Sequence, residues 1–157
     1  MIIRIEKEDD YSSVNELNEI AFAQPDEAEL VSKLRQNPDY IHELSLVAEE
    51  DDKIIGHILF TSIEIVNGDQ RHKSLALAPM SVLLEHQNKG VGSALVEAGF
   101  LKAQELGFTS VIVLGHPEYY PRFGFIPAED FNIHPPVKEW ASAFFAKELT
   151  ESSLKDV

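Results

Sequence analysis

Residues 85–94 of the chain read Glu-His-Gln-Asn-Lys-Gly-Val-Gly-Ser-Ala, and this stretch decides the fold. It follows a strand-like apolar run, Leu75 to Leu84, and precedes an amphipathic helical pattern, so Gly90 and Gly92 lie where a strand enters a helix. The first N–H groups of a helix have no partners within it, and the helix dipole makes that end partly positive. Glycine also lets a ligand approach the backbone closely. The stretch therefore predicts a phosphate site, to which Lys89 adds a full charge.

The composition indicates one acidic, globular domain. The chain has 157 residues, of which 44% are hydrophobic, and it contains no cysteine. This length predicts a single domain over residues 1–150, followed by a loose tail over 151–157. No apolar run reaches the roughly 18 residues that span a membrane, and the first residues show no signal-peptide pattern, so we expect a cytoplasmic protein. The lack of cysteine excludes a disulfide framework, a thiolate metal site and a cysteine nucleophile.

The formal net charge of −14 narrows the range of partners. Nucleic acids and anionic membranes are bound through basic surfaces, so neither is expected. An acidic protein can attract cationic small molecules such as amines, although solubility is the simpler explanation of the charge.

Upstream of the loop, the sequence predicts a strand, two helices and a three-stranded meander. Asn67-Gly68 is the strongest short hairpin signal in this region. The predicted strands are 2–5, 44–49, 53–66 and 73–84, and the predicted helices are 8–22 and 26–36. Pro79 interrupts the last strand, and since proline cannot donate to a ladder it predicts an edge or a bulge there. A bulge would leave backbone N–H groups near Met80 to Val82 free for a ligand.

Downstream of the loop, the pattern predicts a helix over Gly90 to Leu106, with Gly107 suited to its C-terminal cap. A buried strand over 109–114 follows, so that strand, helix and strand form a right-handed crossover with parallel strands. The predicted apolar stripe of the helix consists of Val91, Ala94, Leu95, Ala98 and Leu101. The remaining predicted elements are a short helix or turn over 117–123, strands over 131–133 and 144–149, and a short helical piece over 138–143.

The glycine loop differs from two common phosphate-binding loops. A Walker A loop needs lysine after its glycines, whereas Lys89 precedes them, and a dinucleotide fingerprint needs a third glycine where Leu95 stands. The remaining pattern, Gln-x-x-Gly-x-Gly from Gln87 to Gly92, resembles the pyrophosphate loop of the GNAT superfamily of N-acetyltransferases. Downstream, Tyr120-Pro121-Arg122-Phe123-Gly124-Phe125 resembles the Tyr-x-x-x-Gly-Phe ending of that superfamily's fourth conserved block.

The resemblance covers residues 2–149 and implies a fold, a cosubstrate and a site. The implied fold is a single-domain α/β (α+β) fold with a mixed, mostly antiparallel sheet flanked by helices and a parallel βαβ unit around the loop. The implied cosubstrate is acetyl-coenzyme A, the acceptor is a small-molecule or peptide amine, and a homodimer is one assembly that such families commonly form. The candidate cofactor-binding residues are Met80, Ser81, Val82, Gln87, Asn88, Lys89, Gly90, Val91, Gly92, Ser93, His116 and Tyr119.

The chemistry of acetyl transfer needs few side chains. An amine attacks the thioester, a backbone N–H stabilises the oxyanion, and the thiolate leaves. The resemblance assigns Tyr120 to the leaving thiolate, which a tyrosine can protonate or hydrogen-bond. The superfamily often has an asparagine about one to two helical turns before this tyrosine, but residues 113–116 of this chain contain none. The placement of the tyrosine is therefore open, and Tyr119 is the alternative residue for the contact with the sulfur.

An alkylammonium acceptor must first lose a proton, so a base or a water chain is required. Glu85 is the first candidate because it adjoins the loop, and His86, Glu64 and His57 remain alternatives. With no cysteine to carry an acetyl group, the expected route is direct transfer in a ternary complex, for which no metal is required. The alternative function is a non-catalytic acyl-coenzyme A binding or sensor module.

Overall fold

The computed structural model describes all 157 residues, Met1 to Val157. Three α-helices are present: α1 (Tyr11–Phe22), α2 (Asp26–Arg35) and α3 (Val91–Glu105). The strands are β1 (Ile2–Ile5), β2 (Ser45–Glu50), β3 (Lys53–Asn67), β4 (Gln70–Val82), β5 (Ser110–Leu114), β6 (Ile126–Pro127) and β7 (Phe144–Glu148). Short 3-10 turns complete the order, and no helix is long and apolar enough to cross a membrane.

Hydrogen bonds join the strands in the order β1-β2-β3-β4-β5-β7-β6. The β1–β2, β2–β3, β5–β7 and β6–β7 pairs are antiparallel, whereas β4 and β5 are parallel. Because α3 connects β4 to β5, this parallel pair is the βαβ unit expected around the glycine loop. The predicted mixed, mostly antiparallel α/β fold is therefore confirmed.

The chain divides into two compact units, the first formed by Met1–Thr61 with Ala78–Lys102 and the second by Ser62–Leu77 with Ala103–Val157. The core of the first unit consists mostly of apolar side chains from its helices and strands. Its buried residues include Val14, Leu17, Val31, Leu46, Phe60 and Leu95. The second unit has a core cluster of Ile112, Ala128, Ile133, Ala146 and Leu154.

Helix α3 begins and ends at glycines in the left-handed region, as the sequence predicts for its C-terminus. Gly90 has a φ of +85° and its carbonyl accepts the first helical bond, from the Ala94 N–H at 3.0 Å. At the other end, Gly107 has a φ of +90°, its N–H donates to Gln104, and the Phe108 N–H donates to Ala103. These two bonds form a Schellman motif, which satisfies carbonyls that the helix would otherwise leave unpaired.

The buried face of α3 differs from the predicted stripe. Val91 and Leu95 are buried as expected, but Leu101 is 64% exposed. The helix instead turns Gly99 inward, where an added Cβ would lie 2.2 Å from the Phe60 ring. The buried face also includes three apolar residues outside the predicted stripe, Val96, Phe100 and Ala103. Apolar residues thus occur around much of the helix, so their spacing alone misplaced the stripe, and the inward glycine allows a large neighbour to pack on the helix backbone.

Two further expectations about the C-terminal part are wrong. The predicted strand over 131–133 is a 3-10 turn, Ala128–Phe131, and the short strand β6 precedes it. The tail is not loose, since Leu154 is fully buried in the core cluster of the second unit and the Ser153 hydroxyl donates to the Thr109 carbonyl at 2.8 Å. The burial of this one leucine thus holds residues 151–157 against the second unit, although most of their side chains are polar.

A buried polar network crosses the first unit. Glu6, which has no exposed surface, pairs with Arg35 of α2 at 2.6 Å and accepts a hydrogen bond from the Ser45 hydroxyl at 2.9 Å. The Ser45 oxygen lies 3.0 Å from His57 Nε2. Since that hydroxyl proton goes to Glu6, His57 must donate through Nε2, and its buried Nδ1 has no partner. Burial, followed by the charge of Arg35, lowers the pKa of His57 to about 3.

The inward position of Gly99 predicts an unusual ranking of two substitutions on α3. Gly99→Ala forces its new methyl against a fully buried Phe60, and overpacking of this kind costs about 1–3 kcal/mol, partly offset by the roughly 1 kcal/mol helix preference of alanine. Leu101→Ala removes an exposed side chain and should change stability by less than about 0.5 kcal/mol. Urea unfolding of both variants measures the difference, and a larger loss for Leu101→Ala would contradict the packing.

The buried neutral His57 predicts a pH dependence of stability. Its unfolded pKa is about 6.5, so its contribution is complete above that pH, where both states are neutral. As the pH falls from about 6.5 toward the folded value of about 3, only the unfolded state binds the proton, and stability is lost by about 1.4 kcal/mol per pH unit. Urea unfolding between pH 7 and 4 should therefore show a steeper decline for the wild type than for His57→Gln. Parallel curves would rule out this source of acid sensitivity.

Candidate active site

The predicted site residues fall into two groups, one in each compact unit. The first unit contains the predicted residues between Met80 and Ser93, including Glu85. The second unit contains His116, Tyr119 and Tyr120. The first group is continuous along the end of β4, a 3-10 turn over Leu84–His86, the glycine loop and the first turn of α3.

The glycine loop presents a run of unpaired backbone donors. The N–H of Gln87 donates to the Leu84 carbonyl at 3.2 Å, but the N–H groups from Asn88 to Ser93 donate to no oxygen of the chain. Asn88 and Gly90 both have positive φ, 62° and 85°, so the backbone turns sharply on either side of Lys89. Successive amides in such a loop, followed by the start of a 15-residue helix, are an arrangement suited to binding an anion.

The side chain of Gln87, one of the predicted cofactor-binding residues, has a partner within the chain. Its Nε2 donates to the Val82 carbonyl at 3.0 Å, so it ties the loop to the end of β4. The predicted phosphate site in this loop therefore depends on backbone N–H groups and on the exposed ammonium of Lys89. The side-chain amide of Gln87 does not contribute to it.

The end of β4 has an open hydrogen-bonding edge over the predicted ligand segment. The parallel ladder pairs Leu75 to Leu77 with Val111 to Val113, and β4 continues to Val82 beyond the last pair. Pro79 lies within this continuation, which agrees with the expectation that a proline marks a local edge. Of the three ligand-segment residues, Ser81 is buried, and Met80 and Val82 are half-buried.

Glu85 lies on the wall of a cavity of about 540 Å³ in the first unit. Leu17, Ile20, Ile54 and Leu83 provide the apolar part of the lining. The charged lining groups are Asp9, Asp10, Glu16, Glu49, Asp52 and Glu85, with Lys53 as the one cation among them. Arg4 binds both Asp10, at 2.7 Å, and Glu49, at 3.1 Å, and its hydrogen bond holds the pKa of Asp10 below the usual range. The cavity keeps an excess of carboxylates over cations.

The alternative base candidates have partners of their own. His86 Nδ1 lies 3.5 Å from a Glu50 carboxylate oxygen, and the exposed Glu64 pairs with Arg71 at 3.4 Å. His57 is fully buried, which exceeds the partial burial expected for a strand histidine, and no acceptor can reach it there. Glu85 is thus the one candidate that lines a cavity and has no ion-pair partner.

Tyr120 is buried in an aromatic cluster of the second unit. Its ring centroid lies 5.2 Å from that of Tyr119 and 5.8 Å from that of Phe125, both edge-on. Its flank covers Gly115, where an added Cβ would lie 2.3 Å from the ring. Burial, with a smaller effect of Tyr119, raises the pKa of Tyr120 to about 12, so its hydroxyl stays protonated at neutral pH.

Tyr119 and His116 frame the same turn. The His116 carbonyl accepts hydrogen bonds from the N–H groups of Tyr119 and Tyr120, while its side chain is exposed. The Tyr119 ring is half-buried under the Arg122 guanidinium, 4.5 Å from the ring centroid, and burial raises the pKa of its hydroxyl. Gly115 was not singled out from the sequence, and its position directly after a buried strand was the available signal.

The match to known sequences defines the class of this chain. The acetyltransferase (GNAT) domain family matches residues 2–128. The chain therefore belongs to the GNAT family of acetyltransferases and is an acyltransferase.

Individual relatives agree with this assignment. An uncharacterized N-acetyltransferase of Escherichia coli K12, YjhQ, is 37% identical over 80% of this chain and 70% of its own length. A second one, YhbS, is 30% identical over 100% of this chain and 92% of its own length. The crystal structure of Escherichia coli YhbS in complex with CoA superposes with a TM-score of 0.88 over 99% of this chain and 85% of that one, at 29% identity. A Brucella melitensis GNAT acetyltransferase in complex with acetyl-CoA gives 0.78 over 95% and 88%, at 30% identity.

The contact between Gly115 and the Tyr120 ring predicts a non-additive pair of substitutions. Gly115→Ala places a methyl group 2.3 Å from the ring, and the strain should cost about 1–3 kcal/mol in the free energy of unfolding. In a Tyr120→Leu background the ring is absent, and the cost of Gly115→Ala should fall to about half or less. Denaturant unfolding of the double-mutant cycle measures the coupling, and additive costs would show that the ring does not rest on Gly115.

Proposed function

We propose that this acyltransferase uses acetyl-coenzyme A to acetylate a primary amine by direct attack in a ternary complex. In this proposal, residues 1–150 form the catalytic domain. The amides from Asn88 to Ser93 hold the pyrophosphate, and the backbone of Met80 to Val82 binds the pantetheine arm and the thioester. Tyr120 serves the leaving thiolate and Glu85 serves the acceptor amine.

The observation that carries the proposal is the run of unpaired amides from Asn88 to Ser93. A pyrophosphate would supply the missing acceptors and lies favourably at the positive end of α3. The relatives with CoA and acetyl-CoA bound share most of the chain at about 30% identity, which supports the same class of ligand here.

The proposed transfer requires two protons to leave the ammonium nitrogen, one before the attack and one from the tetrahedral intermediate, and one proton to reach the sulfur. The deprotonated amine nitrogen attacks the thioester carbon, and a backbone N–H of the Met80 to Val82 segment stabilises the oxyanion. The intermediate then expels the coenzyme A thiolate. Because burial keeps the Tyr120 hydroxyl protonated, it can donate to that sulfur at any pH near neutrality. The first amine proton passes to Glu85 or to water, the second leaves the tetrahedral intermediate, and Tyr120 regains its proton from solvent.

The acidic cavity supports an amine acceptor in particular. Its carboxylates exceed its cations, so a protonated amine is attracted toward Glu85, and the apolar part of the lining suits a carbon skeleton. The net charge of −14 acts in the same direction over longer distances.

Two substitutions separate cofactor binding from turnover. Gly92→Val places a branched side chain in the first turn of α3 where the phosphate must approach, and calorimetric titration with acetyl-coenzyme A should show at least a tenfold weaker Kd. Tyr120→Phe removes only a hydroxyl, so it should leave the Kd within about twofold and lower kcat by about a hundredfold. Turnover is followed as free thiol released from acetyl-coenzyme A with a panel of primary amines. The protein contributes no thiol to this signal because it has no cysteine.

Matched variants serve as controls for both measurements. Ala98→Val also adds a branched side chain to α3, two turns from the loop, and should leave the Kd unchanged. Tyr119→Phe should reduce kcat less than Tyr120→Phe, and the opposite ranking would move the donor role to Tyr119. If acetyl-coenzyme A binds but no amine releases thiol, the alternative of a non-catalytic acyl-coenzyme A module is favoured. If acetyl-coenzyme A does not bind, the proposed function is wrong.

A further inference from the structure

A single buried hydrogen bond links α1 to the end of β4 in the first unit. The Ser81 hydroxyl donates to Asn18 Oδ1 at 2.7 Å. Asn18 has no exposed surface and Ser81 is 4% exposed, so solvent does not compete for this contact. Asn18 lies on the inner face of α1 together with Val14 and Leu17, which are apolar and buried.

The amide nitrogen of Asn18 makes this contact unfavourable as a purely structural element. Its Nδ2 is buried without a hydrogen-bond partner. An unsatisfied buried donor costs about 1–3 kcal/mol, whereas an apolar pair at these two positions would carry no such cost. A core that keeps an unsatisfied polar group is expected mainly where function requires it.

The location of Ser81 indicates what that requirement is. Ser81 is the middle residue of the segment that the proposed function assigns to the pantetheine arm and the thioester, and β4 has no β5 partner there. On the β3 side the backbones are close, since a Cβ on Gly56 would lie 3.3 Å from the Ser81 carbonyl oxygen. Side chains alternate along a strand, so the Ser81 side chain can be anchored while the edge of the backbone stays open to a ligand.

We propose that Asn18 is a positioning residue for acetyl transfer, whose hydrogen bond to Ser81 fixes the Met80–Val82 segment against α1 and so sets the orientation of bound acyl-coenzyme A. This inference rests on the proposed function, because that function places the cofactor along β4. Asn18 acts through Ser81 and need not touch the cofactor. Geometry held by supporting hydrogen bonds of this kind commonly decides whether a site is productive.

The test replaces both partners at once. The double variant Asn18→Leu/Ser81→Ala leaves no unsatisfied polar group, so its unfolding midpoint in urea should equal or exceed that of the wild type. Its Kd for acetyl-coenzyme A in calorimetric titration should nevertheless rise about tenfold. Asn15→Ala, one turn earlier on the same helix, should leave the Kd unchanged.

A measurement on the wild type keeps the inference testable if the double variant fails to fold. The side-chain NH₂ signals of Asn18 in an amide-correlation NMR spectrum should shift when acetyl-coenzyme A is added to saturation, whereas those of Asn15 should not. Unshifted Asn18 signals, or a stable double variant with an unchanged Kd, would overturn the positioning role while leaving the proposed function intact. Failure of acetyl-coenzyme A to bind the wild type would instead remove the proposed function itself.

Discussion

The central constraint on this fold is a set of backbone amides that no other part of the chain satisfies. The first turn of any helix leaves N–H groups without partners in the helix, and here the unpaired run also includes the loop before it, from Asn88 to Ser93. Several local features hold them in that state. Left-handed Asn88 and Gly90 turn the chain, the Gln87 side chain fastens the loop to Val82, and the Schellman motif at Gly107 completes the helix whose dipole acts at its other end.

The first unit combines this exposed donor set with several polar side chains buried in its otherwise apolar core. Glu6, Arg35, Ser45 and His57 form one buried network, and Asn18 with Ser81 forms another contact. A buried ion pair such as Arg35–Glu6 gives little net stability, because desolvation offsets its Coulomb energy, but removing one partner is expensive. Such contacts restrict how α1 and α2 can lie against their neighbours in this unit. Helix α1 also provides Glu16, Leu17 and Ile20 to the lining of the acidic cavity.

Local signals in the sequence predicted the elements, while contacts between distant residues were beyond it. The loop, α3, the parallel β4–β5 pair and the hairpin between β3 and β4 follow from short-range patterns of glycine and hydrophobic residues, although the hairpin turn lies one residue later than predicted, at Gly68 and Asp69. The inward face of α3 was misplaced because apolar residues occur around much of the helix, and Gly99, on which Phe60 packs, adds nothing to the hydrophobic pattern. Likewise, Glu6 and Ser45 are 39 residues apart, so nothing in either neighbourhood indicated that they share a hydrogen bond.

The use of main-chain amides at the proposed pyrophosphate site has an evolutionary consequence. Every residue except proline supplies the same N–H group, so the exposed side chain of Lys89 can change with little effect on the shape of the donor set. The acidic cavity, by contrast, is built from side chains, and each substitution there changes charge or shape directly. A lineage of this protein could therefore acquire new acceptors quickly while its donor chemistry stays fixed, so that sequence divergence among its relatives would record changes of acceptor far more than changes of cofactor.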